Sequence, residues 1–127
     1  MKPSIVRSES FGSVTVFSLD RQLAIERLTT AAVALAGMEP EVIDIHLIGS
    51  LARGDAVPGS DADLVVRVRD DGEVAQRRPL DRGLPWSDVF VAIDLPIDLV
   101  VLTPSESAGS ALWSRVESEG IPLHRPT

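Results

Sequence analysis

The most informative part of the chain is residues 48–64, which read IGSLARGDAVPGSDADL. A β-branched strand leads into this segment and ends at the turn Gly49-Ser50. After a short predicted helix and a turn-rich loop, a second strand opens with the carboxylates Asp61 and Asp63. Successive side chains of a strand alternate between its two faces, so Asp61 and Asp63 are expected on the same face. The segment therefore predicts two neighbouring carboxylates at the start of a strand.

Neighbouring carboxylates of this kind are typical either of a cation site or of a solvated surface. Like charges at this spacing repel each other, and a hard cation such as Mg²⁺ removes the repulsion. An Asp-x-Asp pair taken alone is more often the solvent face of a half-buried strand. Glycine at position 49 would let the backbone approach a phosphate closely, although most Gly-Ser pairs are simple turns. Each feature by itself leaves both interpretations open.

The flanking sequence predicts an alternation of helices and strands. Apolar residues recur at helical spacing from Leu19 to Leu35, and Gly37 and Pro40 end that helix. Runs of β-branched residues, bounded by turn signals, predict strands over residues 42–48, 61–68 and 97–102. This alternation predicts an α/β fold in which helices pack against a single sheet.

Three regions have weaker patterns. Residues 14–17 predict an N-terminal strand, while Ile5-Val6 is too short to identify as its partner. Residues 73–83 are compatible with a short helix or with a loop. Residues 87–93 predict a helix that Ser87 could cap.

The C-terminal part begins with the motif of a capping box. Thr103 is the predicted N-cap and Glu106 reaches back to it, so a helix is expected to begin here and to run to about Glu119. The tail that contains His124 and Arg125 is expected to fray. Within the strand over residues 42–48, His46 is expected to be structural rather than catalytic.

Composition limits the classes of function. The 127 residues predict one domain over residues 1–127, with residues 1–18 as an N-terminal extension. The absence of cysteine excludes disulfides, thiolate zinc sites and cysteine nucleophiles. Nineteen acidic residues against twelve basic ones give a net charge of -7, which disfavours non-specific binding to nucleic acid. The apolar runs are too short to span a membrane and the N-terminus does not resemble a secretory signal, so we expect a cytoplasmic protein.

Two motifs together resemble the signature of the DNA-polymerase-β-type nucleotidyltransferases, namely Gly49-Ser50-Leu51-Ala52-Arg53-Gly54 and Ser60-Asp61-Ala62-Asp63-Leu64. The chain is most similar to the minimal nucleotidyltransferases (MNT) of prokaryotes, over roughly residues 19–123. This resemblance implies the fold of that superfamily, an α/β (α+β) domain with a mixed β-sheet flanked by helices. It also implies a third carboxylate between apolar residues on a later strand, which Asp98 matches. Asp94 is the competing residue, but the Leu95-Pro96 pair that follows it marks a connection.

The resemblance assigns a role to each matching residue. Asp61 and Asp63 would bind two Mg²⁺ ions and contact the triphosphate, and Asp98 would be the third metal ligand and the base for the attacking hydroxyl. Gly49 and Ser50 would hold the β and γ phosphates of ATP, and Arg53 is a further candidate phosphate contact. In two-metal chemistry one cation activates the nucleophile and the other neutralises the leaving pyrophosphate.

The resemblance implies transfer of AMP, or of another nucleotide, from a nucleoside triphosphate to a hydroxyl. Minimal members of this family often act as antitoxins that adenylylate a helical HEPN toxin, so we expect a HEPN-type partner and a hetero-oligomer or homo-oligomer. Two alternatives remain open: an antitoxin subunit that only binds its partner, and a transferase of the aminoglycoside-modifying kind. The short chain leaves little room for an acceptor pocket, which disfavours the second alternative.

Overall fold

The computed structural model describes residues 4–126, so residues 1–3 and 127 of the predicted domain lie outside the description. In chain order its elements are β1 (Val6–Phe11), β2 (Val14–Leu19), α1 (Arg21–Met38), β3 (Val42–Ile48), α2 (Ser50–Arg53), β4 (Ala62–Val68), α3 (Glu73–Gln76), β5 (Ile97–Leu102), α4 (Pro104–Ser107), α5 (Ala111–Glu119) and β6 (Ile121–His124), with short 3-10 helices at Pro79–Asp81 and Leu84–Phe90. The central sheet has the strand order β5-β4-β3-β6. Strand β3 is antiparallel to β4 and β6, whereas β4 and β5 are parallel. The predicted mixed sheet flanked by helices is confirmed.

The sheet has a helix on each face. Alternate residues of β3 and β4, such as Leu47 and Leu64, pack with the buried face of α1 in the main core. On the opposite face, Ile48 and Val65 pack with Val116 of α5 in a smaller cluster. Because both faces of β4 are covered, its sequence is almost continuously apolar, and the polar side chains within it need partners.

Helix α1 begins slightly later than its apolar pattern indicates. The Asp20 side chain caps it by accepting a hydrogen bond from the Leu23 N–H at 3.1 Å. Leu19 belongs to β2 instead, where it pairs with Val6. The predicted helix is otherwise confirmed, and it ends at Met38, two residues before Pro40.

The N-terminal strand is confirmed and its partner is β1. Strands β1 and β2 form a separate antiparallel hairpin that does not join the central sheet. Most of its side chains are exposed, including Phe11 and Phe17. Ile5, which precedes the hairpin, is fully buried and its carbonyl accepts a hydrogen bond from the Asp20 N–H, so the base of the hairpin is tied to the core.

The connection between β4 and β5 is a series of short turns. One helical turn, α3, occupies the region that the sequence left open between helix and loop. The predicted helix over residues 87–93 is wrong in type and in its cap: a 3-10 helix spans Leu84–Phe90, and the Ser87 hydroxyl donates to the Leu84 carbonyl from inside it. This segment is held by tertiary packing, since Trp86 and Phe90 are buried in the main core.

The single C-terminal helix predicted from Thr103 to Glu119 is wrong, because two helices replace it. The capping box of Thr103 and Glu106 is confirmed at the start of α4. Gly109, with a φ of 74°, then changes the direction of the chain, and the Ser110 side chain caps α5. His124 is not in a frayed tail: β6 pairs with β3, and His124 lies opposite Ile45. Among residues 4–126 the structure contains no helix that is both long and apolar enough to cross a bilayer.

Candidate active site

The parallel pairing of β4 with β5 brings two of the predicted carboxylates together. In this register Asp63 lies opposite Asp98, and on its other side Asp63 lies opposite Ile48 of β3. Asp61 precedes β4 and is exposed. The competing Asp94 lies elsewhere, 3.7 Å from Arg27 of α1, with a largely exposed side chain. The register therefore places Asp98, rather than Asp94, beside Asp63.

Gly49 approaches the carboxylate of Asp63 very closely. Its φ of 84° and ψ of -161° lie in a region that only glycine adopts readily. A Cβ atom built on Gly49 would overlap Oδ2 of Asp63, so a side chain here would displace that carboxylate. Ser50 follows as the first residue of α2, and the predicted phosphate turn thus lies against Asp63, one of the predicted metal ligands.

The charges around Asp63 have the character of a cation site. Burial, together with the nearby charges of Asp98 and Asp61, raises the pKa of the Asp63 carboxyl. Carboxylate oxygens are the ligands that Mg²⁺ prefers, so the donor set fits this ion in its chemistry. In the part of the chain that the structure describes, no group of three or more His, Cys, Asp or Glu side chains converges as a complete metal site. Substrate phosphates and water commonly supply further ligands of Mg²⁺.

A residue that the sequence did not single out completes the wall of the site. Arg115 of α5 lines a cavity of about 130 Å³ together with Asp63 and Asp98. Larger, mainly apolar hollows of about 340 and 490 Å³ lie elsewhere and contain none of these carboxylates. Asp63, Asp98 and Arg115 therefore line a small recess near the start of β4, on the face that α5 covers.

Glu119 at the end of α5 also reaches the site. Its Oε2 atom accepts a hydrogen bond from the Gly49 N–H at 2.7 Å and one from Nη1 of Arg53 at 3.1 Å. Nε of Arg115 lies 3.4 Å from Oε1 of the same carboxylate. The hydrogen bond from Gly49 lowers the pKa of Glu119. The sequence showed Glu119 only as the end of a helix, since no local pattern links positions 49 and 119.

His46 lies further along the same sheet face, in a polar cluster. Asp44 accepts hydrogen bonds from Nε and Nη2 of Arg67 at 3.0 and 2.5 Å, and Nε2 of His46 lies 3.5 Å from Oδ1 of Asp44. The Arg67 guanidinium stacks on Trp113, 4.1 Å from the ring centroid, and His46 meets the edge of that ring. Burial alone would raise the pKa of Asp44, but His46 and Arg67 outweigh it and lower that pKa to about 2. These contacts support a structural role for His46.

Comparison with known families identifies the class of this protein. Residues 28–120 match the family model of the nucleotidyltransferase domain, and the chain therefore belongs to that family. Comparison with curated protein sequences gives no significant match.

Solved structures share the fold at low sequence identity. A candidate nucleotidyltransferase from Sulfolobus solfataricus superposes with a TM-score of 0.59 at 18% identity, covering 80% of each chain. A toxin–antitoxin structure with AMP-PNP gives a TM-score of 0.54 at 21% identity, over 78% of this chain and 74% of the other. A mutant of the toxin–antitoxin MntA-HpeT gives a TM-score of 0.50 at 21% identity, over 86% of this chain and 76% of the other. At these identities the likeness establishes the fold.

Proposed function

We propose that this nucleotidyltransferase domain transfers AMP from Mg²⁺-bound ATP to a hydroxyl group of a helical HEPN-type partner protein in the cytoplasm. The observation that carries the proposal is the placement of Asp63 opposite Asp98, against the Gly49 turn. Three further observations agree with it: the family match, the exposed Asp61 two residues before Asp63, and the cationic Arg53 and Arg115 at the rim.

The three carboxylates share the metal-binding role. Asp61 and Asp63 would hold two Mg²⁺ ions, with Asp98 as the third ligand. Bound Mg²⁺ would supply a lower pKa for the attacking hydroxyl and charge neutralisation for the leaving pyrophosphate. Asp98 is exposed on the edge strand β5 and would take the proton of an incoming hydroxyl. That oxygen then forms a bond to the α-phosphorus of ATP while the bond to pyrophosphate breaks.

The phosphate contacts follow from the turn after β3. The Gly49 N–H is already engaged by Glu119, so Gly49 contributes mainly the space that its missing side chain leaves. Ser50 would contact the β and γ phosphates through its N–H and hydroxyl. Arg53 is the last residue of α2 and would add a charged contact to the phosphates.

A protein acceptor is supported by the similar structures and by the size of the site. Two of the structures that share this fold are toxin–antitoxin proteins, and one of them was solved with AMP-PNP. The recess between Asp63 and Asp98 has a volume of only about 130 Å³, so it offers no enclosed pocket for a small-molecule acceptor. An acceptor hydroxyl presented by a second protein at the β5 edge would not need such a pocket.

The test has a binding step and a transfer step. ATP binding measured by titration calorimetry should be strong with Mg²⁺ and weak in EDTA, and a variant carrying Asp61→Asn with Asp63→Asn should lose it. The partner co-purified from the native host should gain the mass of one AMP group when Mg²⁺ and ATP are added. Equal ATP affinity in EDTA would refute the assigned site. A stable complex without AMP transfer would instead identify a binding subunit, and transfer to a free small molecule would identify the aminoglycoside-type alternative.

A further inference from the structure

The C-terminal end of α5 is joined to the phosphate turn by a single carboxylate. Glu119 accepts hydrogen bonds from the Gly49 N–H at 2.7 Å and from Arg53 at 3.1 Å, although it lies 70 residues after Gly49. Its side chain is only 18% exposed. A hydrogen bond to an ionised carboxylate is shorter and stronger than one between neutral groups, so this contact is well suited to hold a backbone turn.

The turn needs such a restraint. Gly49 has no side chain to pack, and its backbone lies in a region that costs free energy for every other residue. Helix α2, which follows, is anchored from Leu51 onward, because Leu51 and Ala52 are buried and Arg21 donates hydrogen bonds to their carbonyls at 2.8 and 3.0 Å. The Gly49 N–H lies before that anchored turn, and the side chain to which it donates is that of Glu119.

Glu119 is itself held in place. Val116, one turn earlier in α5, is buried against Ile48 and Val65. The Gly120 N–H closes the helix on the Val116 carbonyl at 2.9 Å, and β6 then pairs with β3. The carboxylate thus extends from a rigid junction between α5 and β6.

Glu119 also holds two arginines at the rim of the site. Arg53 and Arg115 both contact its carboxylate, at 3.1 and 3.4 Å. Arg115 lines the same small cavity as Asp63 and Asp98. Without Glu119, Arg115 would still line the cavity beside Asp63 and Asp98, which the proposed function assigns to Mg²⁺.

We propose that Glu119 is a positioning residue of the nucleotide site, which fixes the Gly49-Ser50 turn and keeps Arg115 away from the metal-binding carboxylates. This inference rests on the proposed function. The opposite hypothesis is that Glu119 occupies the phosphate position and must be displaced by ATP. The two hypotheses predict opposite changes in ATP affinity when Glu119 is replaced. Removal of a positioning residue weakens ATP binding, whereas removal of a competitor strengthens it.

The experiment compares Glu119→Ala and Glu119→Gln with the control Glu117→Ala, an exposed position on the same helix. We expect Glu119→Ala to bind Mg²⁺-ATP about tenfold more weakly by calorimetry, the usual effect of losing a supporting contact at a metal site. Hydrogen exchange of the Gly49 amide should become faster in this variant. Glu119→Gln keeps an acceptor for the Gly49 N–H and should restore slow exchange and part of the affinity, while Glu117→Ala should match the wild type.

The outcomes separate this inference from the proposed function. Thermal unfolding is measured in parallel, and binding is compared well below the melting temperature, so that a purely structural role would leave the affinity unchanged. Wild-type or tighter binding by Glu119→Ala, with the wild-type protein binding Mg²⁺-ATP, would refute the positioning role and leave the proposed function intact. A wild-type protein that does not bind Mg²⁺-ATP would refute both.

Discussion

Replacement of Gly49 by alanine tests the link between the backbone turn and the carboxylate pair. At a φ of 84° and a ψ of -161°, any residue with a Cβ atom is strained, and such strain costs about 1–3 kcal/mol. The new methyl group would also overlap Oδ2 of Asp63 and approach its Cγ to 3.4 Å. Asp63 must therefore move, and its side chain is half-buried between β3 and β5. We expect the free energy of unfolding to fall by about 2–3 kcal/mol, which is the upper part of the range for backbone strain because the displacement of Asp63 adds to it.

The matched control is Gly109→Ala. Gly109 also has a positive φ, of 74°, but a Cβ atom built there has no neighbour within 4 Å. The free energy of unfolding of Gly109→Ala should fall only by the cost of placing an alanine in the left-handed region, about 1 kcal/mol. Urea denaturation of both variants measures the difference in stability.

Calorimetry with Mg²⁺-ATP then separates the stability effect from the site effect. Displacement of Asp63 should weaken nucleotide binding by about tenfold or more in Gly49→Ala, whereas Gly109→Ala should bind as the wild type does. Equal losses of stability in the two variants would refute the predicted overlap with Asp63. Unchanged ATP affinity in Gly49→Ala would show that the turn and this carboxylate do not form the nucleotide site.

Three further predictions concern other parts of the molecule. Asp98→Asn keeps the shape of the side chain and removes its charge, so Mg²⁺-ATP affinity should stay within about tenfold while AMP transfer falls by ~100-fold or more; transfer at the wild-type rate would contradict its role as base. The folded-state pKa of Asp44, about 2, lies below its usual value, so the ionised carboxylate contributes roughly 2 kcal/mol to the free energy of unfolding above about pH 4. This contribution is lost as the pH falls through about 2. In denaturation at several pH values, the free energy of unfolding of Asp44→Asn should therefore fall less steeply with acid than that of the wild type. Thr103→Ala removes the N-cap of α4 and should lower the free energy of unfolding by about 1 kcal/mol in urea, with no change in ATP affinity.

Elements with a strong local pattern were predictable. The apolar spacing of α1 and the β-branched runs of β3, β4 and β5 each describe how one segment meets the core, and all four are confirmed. The capping box at Thr103 is also a local motif, and it is confirmed for the same reason. Where a segment depends on a distant partner, local patterns failed: β6 forms only because β3 has a free edge, and the 3-10 helix at Leu84–Phe90 is held by packing of Trp86.

The candidate site also has a part that local sequence predicts and a part that depends on tertiary packing. From the sequence alone, the resemblance of two neighbouring motifs to a known signature assigned Gly49, Asp61 and Asp63 to one expected site, and Asp98 was identified as a carboxylate on a later predicted strand. Only the tertiary structure decided that β4 and β5 are parallel neighbours in the register that places Asp63 opposite Asp98. It also decided that Arg115 and Glu119 of α5 reach the same turn. Spacing along a chain limits which residues can share one element, whereas contacts between elements depend on how their buried faces pack, and no local pattern records that packing.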